Sequence, residues 1–208
     1  MRDRDLVRLY WPVELRPAFD ALFAVDDVLA EVVASSTQPA LGAIRLAWWR
    51  EALERLDQHP PPAEPRLQAV AAELLPRGIS GAMLAGMEEG HAALLDEWIE
   101  PSQVALGGER LFGIAACLLG QHDPLLAEAG RLFAFGRAAR DGRLLTSAKE
   151  ILKLVDIHGH RFAIGVRSLS GLARLAARDL ERFPAIEPEA TPGRAFVLLR
   201  HRLTGRID

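Results

Sequence analysis

Apolar residues return every three to four positions along almost the whole chain, as in Leu22, Val25, Leu29 and Val32. A helix places residues three and four apart on one face, whereas a strand needs alternation by two. Ala, Leu, Arg and Glu dominate, and they lose little side-chain freedom in a helix. Val, Ile, Thr and Tyr are too few and too scattered to build a sheet. The expected fold is all-α, an antiparallel helical bundle, in a single domain over residues 1–208.

Prolines, glycines and capping residues divide this pattern. The first helix is predicted from about Val13 to Ala34, with Pro12 near its first turn, and the second from about Ala40 to Asp57. Leu41, Ile44, Trp48, Trp49, Ala52, Leu53 and Leu56 form the predicted buried stripe of the second. The run HPPPAEP at 59–65 is a stiff connector, followed by a short helix near Arg66 to Leu75. Ser80 is a candidate N-cap for a long helix reaching Trp98, in which Gly86 and Gly90 would let a neighbour approach closely. Pro101 to Gly108 reads as a loop and Glu109 to Leu119 as a compact helix. Asp123 caps a helix to about Ala139, and Asp141 with Gly142 marks a turn. Helices are then predicted at Leu145 to Val155, at His160 to Phe183 and, capped by Thr191, to about Leu203.

The net charge of −3 lacks the surplus of Lys and Arg that a nucleic-acid partner requires. A single cysteine, Cys117, excludes an internal disulfide and is expected to be a buried, inert thiol. Residues 1–10 are charged and carry no apolar signal core, and no apolar run reaches the length of a membrane span. The expected location is the cytoplasm, or the periphery of the inner membrane.

Candidate chemistry starts with Asp27 and Glu31, four apart on one helix face, where two carboxylates can share Mg²⁺. A solvated acidic face is the commoner fate of such residues. Arg45, on the predicted apolar stripe, needs a polar cavity or an internal partner such as Glu31, and a guanidinium there suits a diphosphate. Trp48 and Trp49 read as core or cavity wall, as do Phe23 and Met87; His91 is a further cavity-wall candidate, and a satisfied core histidine rather than a ligand. His158 and His160 have no metal spacing. A basic C-terminal segment, Arg194 to Arg206, could touch acidic lipid or an acidic partner, although a docked helix with a solvated basic face is the plainer reading.

WPVELRPAFDALFAVDDVLAEVV and QPALGAIRLAWWREALERL, within Trp11 to Leu56, resemble the opening of the squalene/phytoene synthase family. Arg45 to Arg50 is similar to the branch that includes a mitochondrial respiratory complex I assembly factor and its bacterial relatives. So is LARLAARDL with PGRAFVLLRHRLTGR towards the C-terminus. The resemblance implies a shortened isoprenoid synthase bundle around a central cavity. Active members join two prenyl diphosphates head to head through Mg²⁺ held by two aspartate-rich motifs. Matching Ala21 to Ala24 with the family's Ala-Leu-Tyr-Ala puts the first motif at Ala30, Glu31 and Ala34, so Glu31 alone keeps a carboxylate there. The second motif is reduced to Arg140-Asp141 followed directly by Gly142-Arg143-Leu144-Leu145.

These departures lead to the expectation of a non-catalytic binding or respiratory-complex assembly protein. The alternatives are an active Mg²⁺-dependent prenyltransferase and an isoprenoid or lipid carrier. Asp27, Glu31, Arg45, Arg140 and Asp141 are the candidate ligand-binding residues. Candidate partners are a prenyl diphosphate, a lipid or a membrane-complex subunit; no cofactor is expected, and Mg²⁺ only under the prenyltransferase reading.

Overall fold

The computed structural model describes residues 1–143 and 148–207. All regular structure among them is helical. The helices are α1 (Asp3–Val7), α2 (Arg16–Ser35), α3 (Pro39–Arg55), α4 (Pro65–Glu73), α5 (Gly81–Ala85), α6 (Glu88–Ala92), α7 (Pro101–Leu119), α8 (Leu126–Arg140), α9 (Ala148–Lys153), α10 (Arg167–Arg182) and α11 (Pro192–Thr204). Short 3-10 turns link several of them. The all-α expectation holds. No described helix is long and apolar enough to cross a membrane.

Helices α7, α8 and α10 pack side by side, and α11 closes over α10. The α7–α8 crossing depends on two glycines. A Cβ on Gly108 would sit 2.0 Å from the Gly130 carbonyl oxygen. The α6–α7 crossing uses Gly90 against Gly107, so one of the two glycines singled out for close approach meets a backbone; Gly86 meets the Arg110 side chain instead.

Several predicted boundaries move. The 101–108 loop is helix: Pro101 occupies the first turn of α7, and Gly107 and Gly108, which read as breakers, are contact points. The predicted helix from Ser80 to Trp98 breaks after Ala85, again after Ala92, and ends in a 3-10 turn at Ala93–Leu95. Ser80 does cap α5, its hydroxyl accepting from the Met83 N–H. The helix expected from His160 begins only at Arg167. Asp123 does not cap α8. It accepts from the Leu125 and Ala163 N–H groups and from His160 Nε2, tying two loops together. Leu145, the predicted start of the next helix, and Leu144 lie outside the described residues. Thr191 caps α11 as expected, accepting from the Arg194 N–H.

Two burial expectations fail. Cys117 is exposed, because α7 buries the face of Leu111, Ala115 and Leu118 instead. On α3 the buried set is Gly42, Leu46, Trp49 and Leu53, while Leu41, Ile44 and Trp48 face outward. Apolar residues run almost all the way round this helix, so periodicity alone could not select its inner face.

Candidate functional site

One face of α2 presents Phe23, Asp26, Asp27, Ala30, Glu31 and Ala34, a run spaced by three, one, three, one and three. α8 contributes Phe133, Gly136, Arg137 and Arg140, with Asp141 just past its end. α10 adds Leu172, Leu175, Ala176 and Asp179, and the N-terminal residues Arg2, Asp3 and Arg4 close one side. Together they enclose a cavity of about 340 Å³. That is towards the small end of the range for ligand pockets.

Most of the charges around this cavity are held in ion pairs. Asp27, about a quarter exposed, is gripped by Arg2 at 2.8 Å and by Arg4 at 2.9 Å, one guanidinium on each oxygen. Arg4 also lies over the Phe23 ring and donates to the Phe23 carbonyl. Asp26 is buried; it accepts from His91 Nε2 at 3.2 Å and pairs with Arg137. Burial alone would raise the Asp26 pKa, but the Arg137 charge and the His91 hydrogen bond outweigh it and hold the carboxyl far below the usual range. Burial first, then Arg137, pushes His91 below the ordinary histidine value, so the ring is neutral. On the opposite wall, buried Arg194 bridges Asp3 and Asp179, and Arg140 Nε donates to Asp179 at 2.7 Å. Glu31 pairs with Arg66 of α4 at 3.0 Å.

Of the candidates read from the sequence, Asp27, Glu31, Arg140 and Asp141 border this one cavity, and Phe23 lines it. Arg45 does not. It is exposed on the outer face of α3 and donates to Ser35 Oγ at 3.0 Å, because the stripe that carries it points outward. Trp48, half exposed, borders a separate shallow pocket with His59 and Pro60. Trp49 packs in the core against the edge of Trp48, and Met87 is core. His91 stands behind Asp26 in the core rather than as cavity wall, and it is only half satisfied: Nε2 meets Asp26, while the buried Nδ1 has no hydrogen-bond partner.

Sequence reasoning passed over Arg137, Asp179, Asp3 and the N-terminal arginines, and it counted Arg194 in a basic C-terminal face, whereas that guanidinium is buried between Asp3 and Asp179. Asp179 could have been found, since it continues the buried spacing of Leu172 and Leu175. The partnership of Arg2 and Arg4 with Asp27 leaves no local trace, being set by where α1 docks.

A trinuclear or binuclear Mg²⁺ site needs several carboxylate oxygens free to converge on the ions. Here the oxygens of Asp26, Asp27 and Asp179 are engaged by arginines. Among the described residues, no three carboxylates, imidazoles or thiolates stand close enough to hold one ion. The donor set does not fit the Mg²⁺ cluster that the resemblance implies.

Residues 2–97 match the family model of squalene/phytoene synthase. The match covers just under half of the chain, from the N-terminal arginines through α6, and so includes Asp27 and Glu31. It ends before Arg140 and Asp141. No curated protein and no solved structure matches the chain. The all-helical architecture is consistent with the isoprenoid synthase type that the family implies.

Proposed function

We propose that this squalene/phytoene synthase-like protein is a binding protein that does not carry out head-to-head condensation. The observation that carries this reading is the double clamp on Asp27. Two guanidiniums of the same chain occupy the oxygens of the one carboxylate that a divalent ion could share with Glu31 on this face, and the motif positions beside Glu31 are Ala30 and Ala34. The cavity suits one small, largely apolar ligand, with Phe23, Phe133, Leu172 and Leu175 as its wall. The resemblance of Arg45 to Arg50 extends this to assistance in assembling a membrane-bound respiratory complex.

The test is calorimetric titration with a non-hydrolysable farnesyl diphosphate analogue, with and without Mg²⁺, beside an assay for diphosphate release from farnesyl diphosphate. Expected are no release, and a heat of binding that Mg²⁺ leaves unchanged. Steady Mg²⁺-dependent release, lost in Glu31→Ala, would overturn the proposal. That outcome belongs to the second reading, a prenyltransferase with a reduced site, which draws support from Asp27, Glu31, Arg140 and Asp141 bordering one cavity.

A further inference from the structure

The C-terminal helix α11 has two opposed characters. Its inner side carries Arg194, Leu198 and His201, all buried. Its outer side carries Phe196, Leu199 and Leu203, which are 68%, 51% and 70% exposed. At about 100° per residue these three fall within one narrow arc, forming a ridge along the helix. Arg200 lies on one flank of that arc and Arg202 on the other, both exposed. Arg206 follows at the helix end, also exposed.

The surroundings extend the same chemistry. Arg161 donates to the Thr204 carbonyl at 3.0 Å, and Arg167 to the Arg202 carbonyl at 2.8 Å, so two more cations gather at the C-terminal end of α11. Ile164, 79% exposed, stands across a shallow pocket from Arg202. From Ala190 to Ile207 there is no Asp or Glu. The whole chain is net negative, so this basic face is a local segregation of charge.

We propose that the outer face of α11 lies on an anionic lipid bilayer surface. An apolar ridge with arginines on both flanks is the arrangement of an interfacial helix. The apolar side chains enter the headgroup boundary while the long guanidinium arms reach back to lipid phosphates. A convex ridge offers a protein ligand no groove to fill, but it fits a deformable surface. The other exposed apolar row, Leu41, Ile44 and Trp48 on α3, has Arg45 and Arg50 but also Glu51 and Glu54 beside it, so its charge selects no such occupant. The proposal is independent of what the cavity holds. Among α11 residues only Arg194 borders the cavity, and it points inward.

The test is co-sedimentation of the full chain with vesicles of phosphatidylcholine alone and of phosphatidylcholine with about one third phosphatidylglycerol. The protein is expected to sediment with the anionic vesicles, not with the neutral ones, and to be released by high salt. Two variants separate the contributions: F196S/L199S/L203S removes the ridge, and R200E/R206E reverses the flanking charge. These side chains are exposed, so both variants should keep the wild-type circular dichroism and melting temperature. Each should lower the partition onto anionic vesicles roughly tenfold or more. Failure of the wild-type chain to bind anionic vesicles, or unchanged binding by the ridge variant, overturns the proposal. So does a concentration-dependent dimer that the ridge variant abolishes without any lipid binding, which would assign the face to a second copy.

Discussion

Arg194 is buried between Asp3 and Asp179, and it joins the N-terminal helix to α10 and α11. Its burial lowers the pKa, but hydrogen bonds and charge from both carboxylates reverse this and leave the guanidinium firmly protonated. Removing it in Arg194→Ala leaves Asp3 buried without its cation, so a loss of about 3–5 kcal/mol is expected in urea or thermal unfolding. Arg2→Ala, by contrast, removes an exposed arginine from a carboxylate that Arg4 still holds, and should cost about 1 kcal/mol or less. The buried histidines make a second prediction. His201 Nδ1–H donates to the Arg206 carbonyl and its Nε2 faces the Ser170 hydroxyl at 2.8 Å. Burial first holds both His201 and His91 below the ordinary histidine value. The unfolded chain therefore takes up protons near pH 6.5 that the folded chain refuses, and stability falls as the pH drops through that value. Asp26 has a depressed folded pKa, so its contribution is present above the ordinary carboxylate value and is lost as pH falls below about 4. Melting temperature against pH should show two successive declines on acidification, and His201→Gln should shrink the first and leave the second. At this scale the sequence was legible where a polar residue interrupts a stripe, as His91 does. It was silent on pairings such as Arg2 with Asp27, which join parts of the chain that no local pattern connects.

At the scale of elements, α7, α8 and α10 are locked by small residues rather than by large interdigitating ones. Gly136 of α8 meets Ala176 of α10, and Gly108 of α7 meets the Gly130 backbone. Gly108→Ala would bring a methyl group against a carbonyl that cannot swing aside. Forced separation of the two helices is expected to cost about 1–3 kcal/mol, read as a lowered urea midpoint with the slope unchanged. Gly113, on the same helix, has open space where a Cβ would go. Gly113→Ala should therefore be neutral or stabilising by up to about 1 kcal/mol, since it improves helix propensity without a clash. The pair distinguishes glycines needed for contact from those merely tolerated. It also explains the boundary error at α7. A glycine doublet after a proline reads as a loop when only backbone freedom is considered, yet Gly107 and Gly108 are there because helices cross. The α3 error has the same origin: an almost continuous apolar circumference leaves the inward face to be chosen by the partners.

For the whole molecule, the helical bundle was legible from periodicity, but the cavity was not, because cavity walls and core stripes use the same residues. What the structure adds is that the charge at the α2 face is balanced internally. Asp26, Asp27 and Asp179 are met by arginines from the N-terminal segment, α8 and α11, and Glu31 by Arg66 of α4. A metal-dependent relative would need those carboxylates free. On the proposed reading, metal is excluded by several elements at once, and this sets the conditions for building a metal site. Arg2→Ala with Arg4→Ala frees Asp27, but one carboxylate on α2 is not a Mg²⁺ site. Adding Ala30→Asp and Ala34→Asp supplies further oxygens one turn apart on the same cavity-facing stripe, beside Glu31. The wild-type chain and the arginine double variant should show no Mg²⁺-dependent rise in melting temperature. The fourfold variant should show one, reaching about 1.4 kcal/mol of stabilisation when Mg²⁺ stands at ten times its dissociation constant. Without Mg²⁺ the fourfold variant should be less stable than wild type, because the new carboxylates repel Asp27 and Glu31 across single helical turns. A Mg²⁺ response already present in the wild-type chain would mean that the arginines yield to the ion, and that the clamp on Asp27 does not exclude metal.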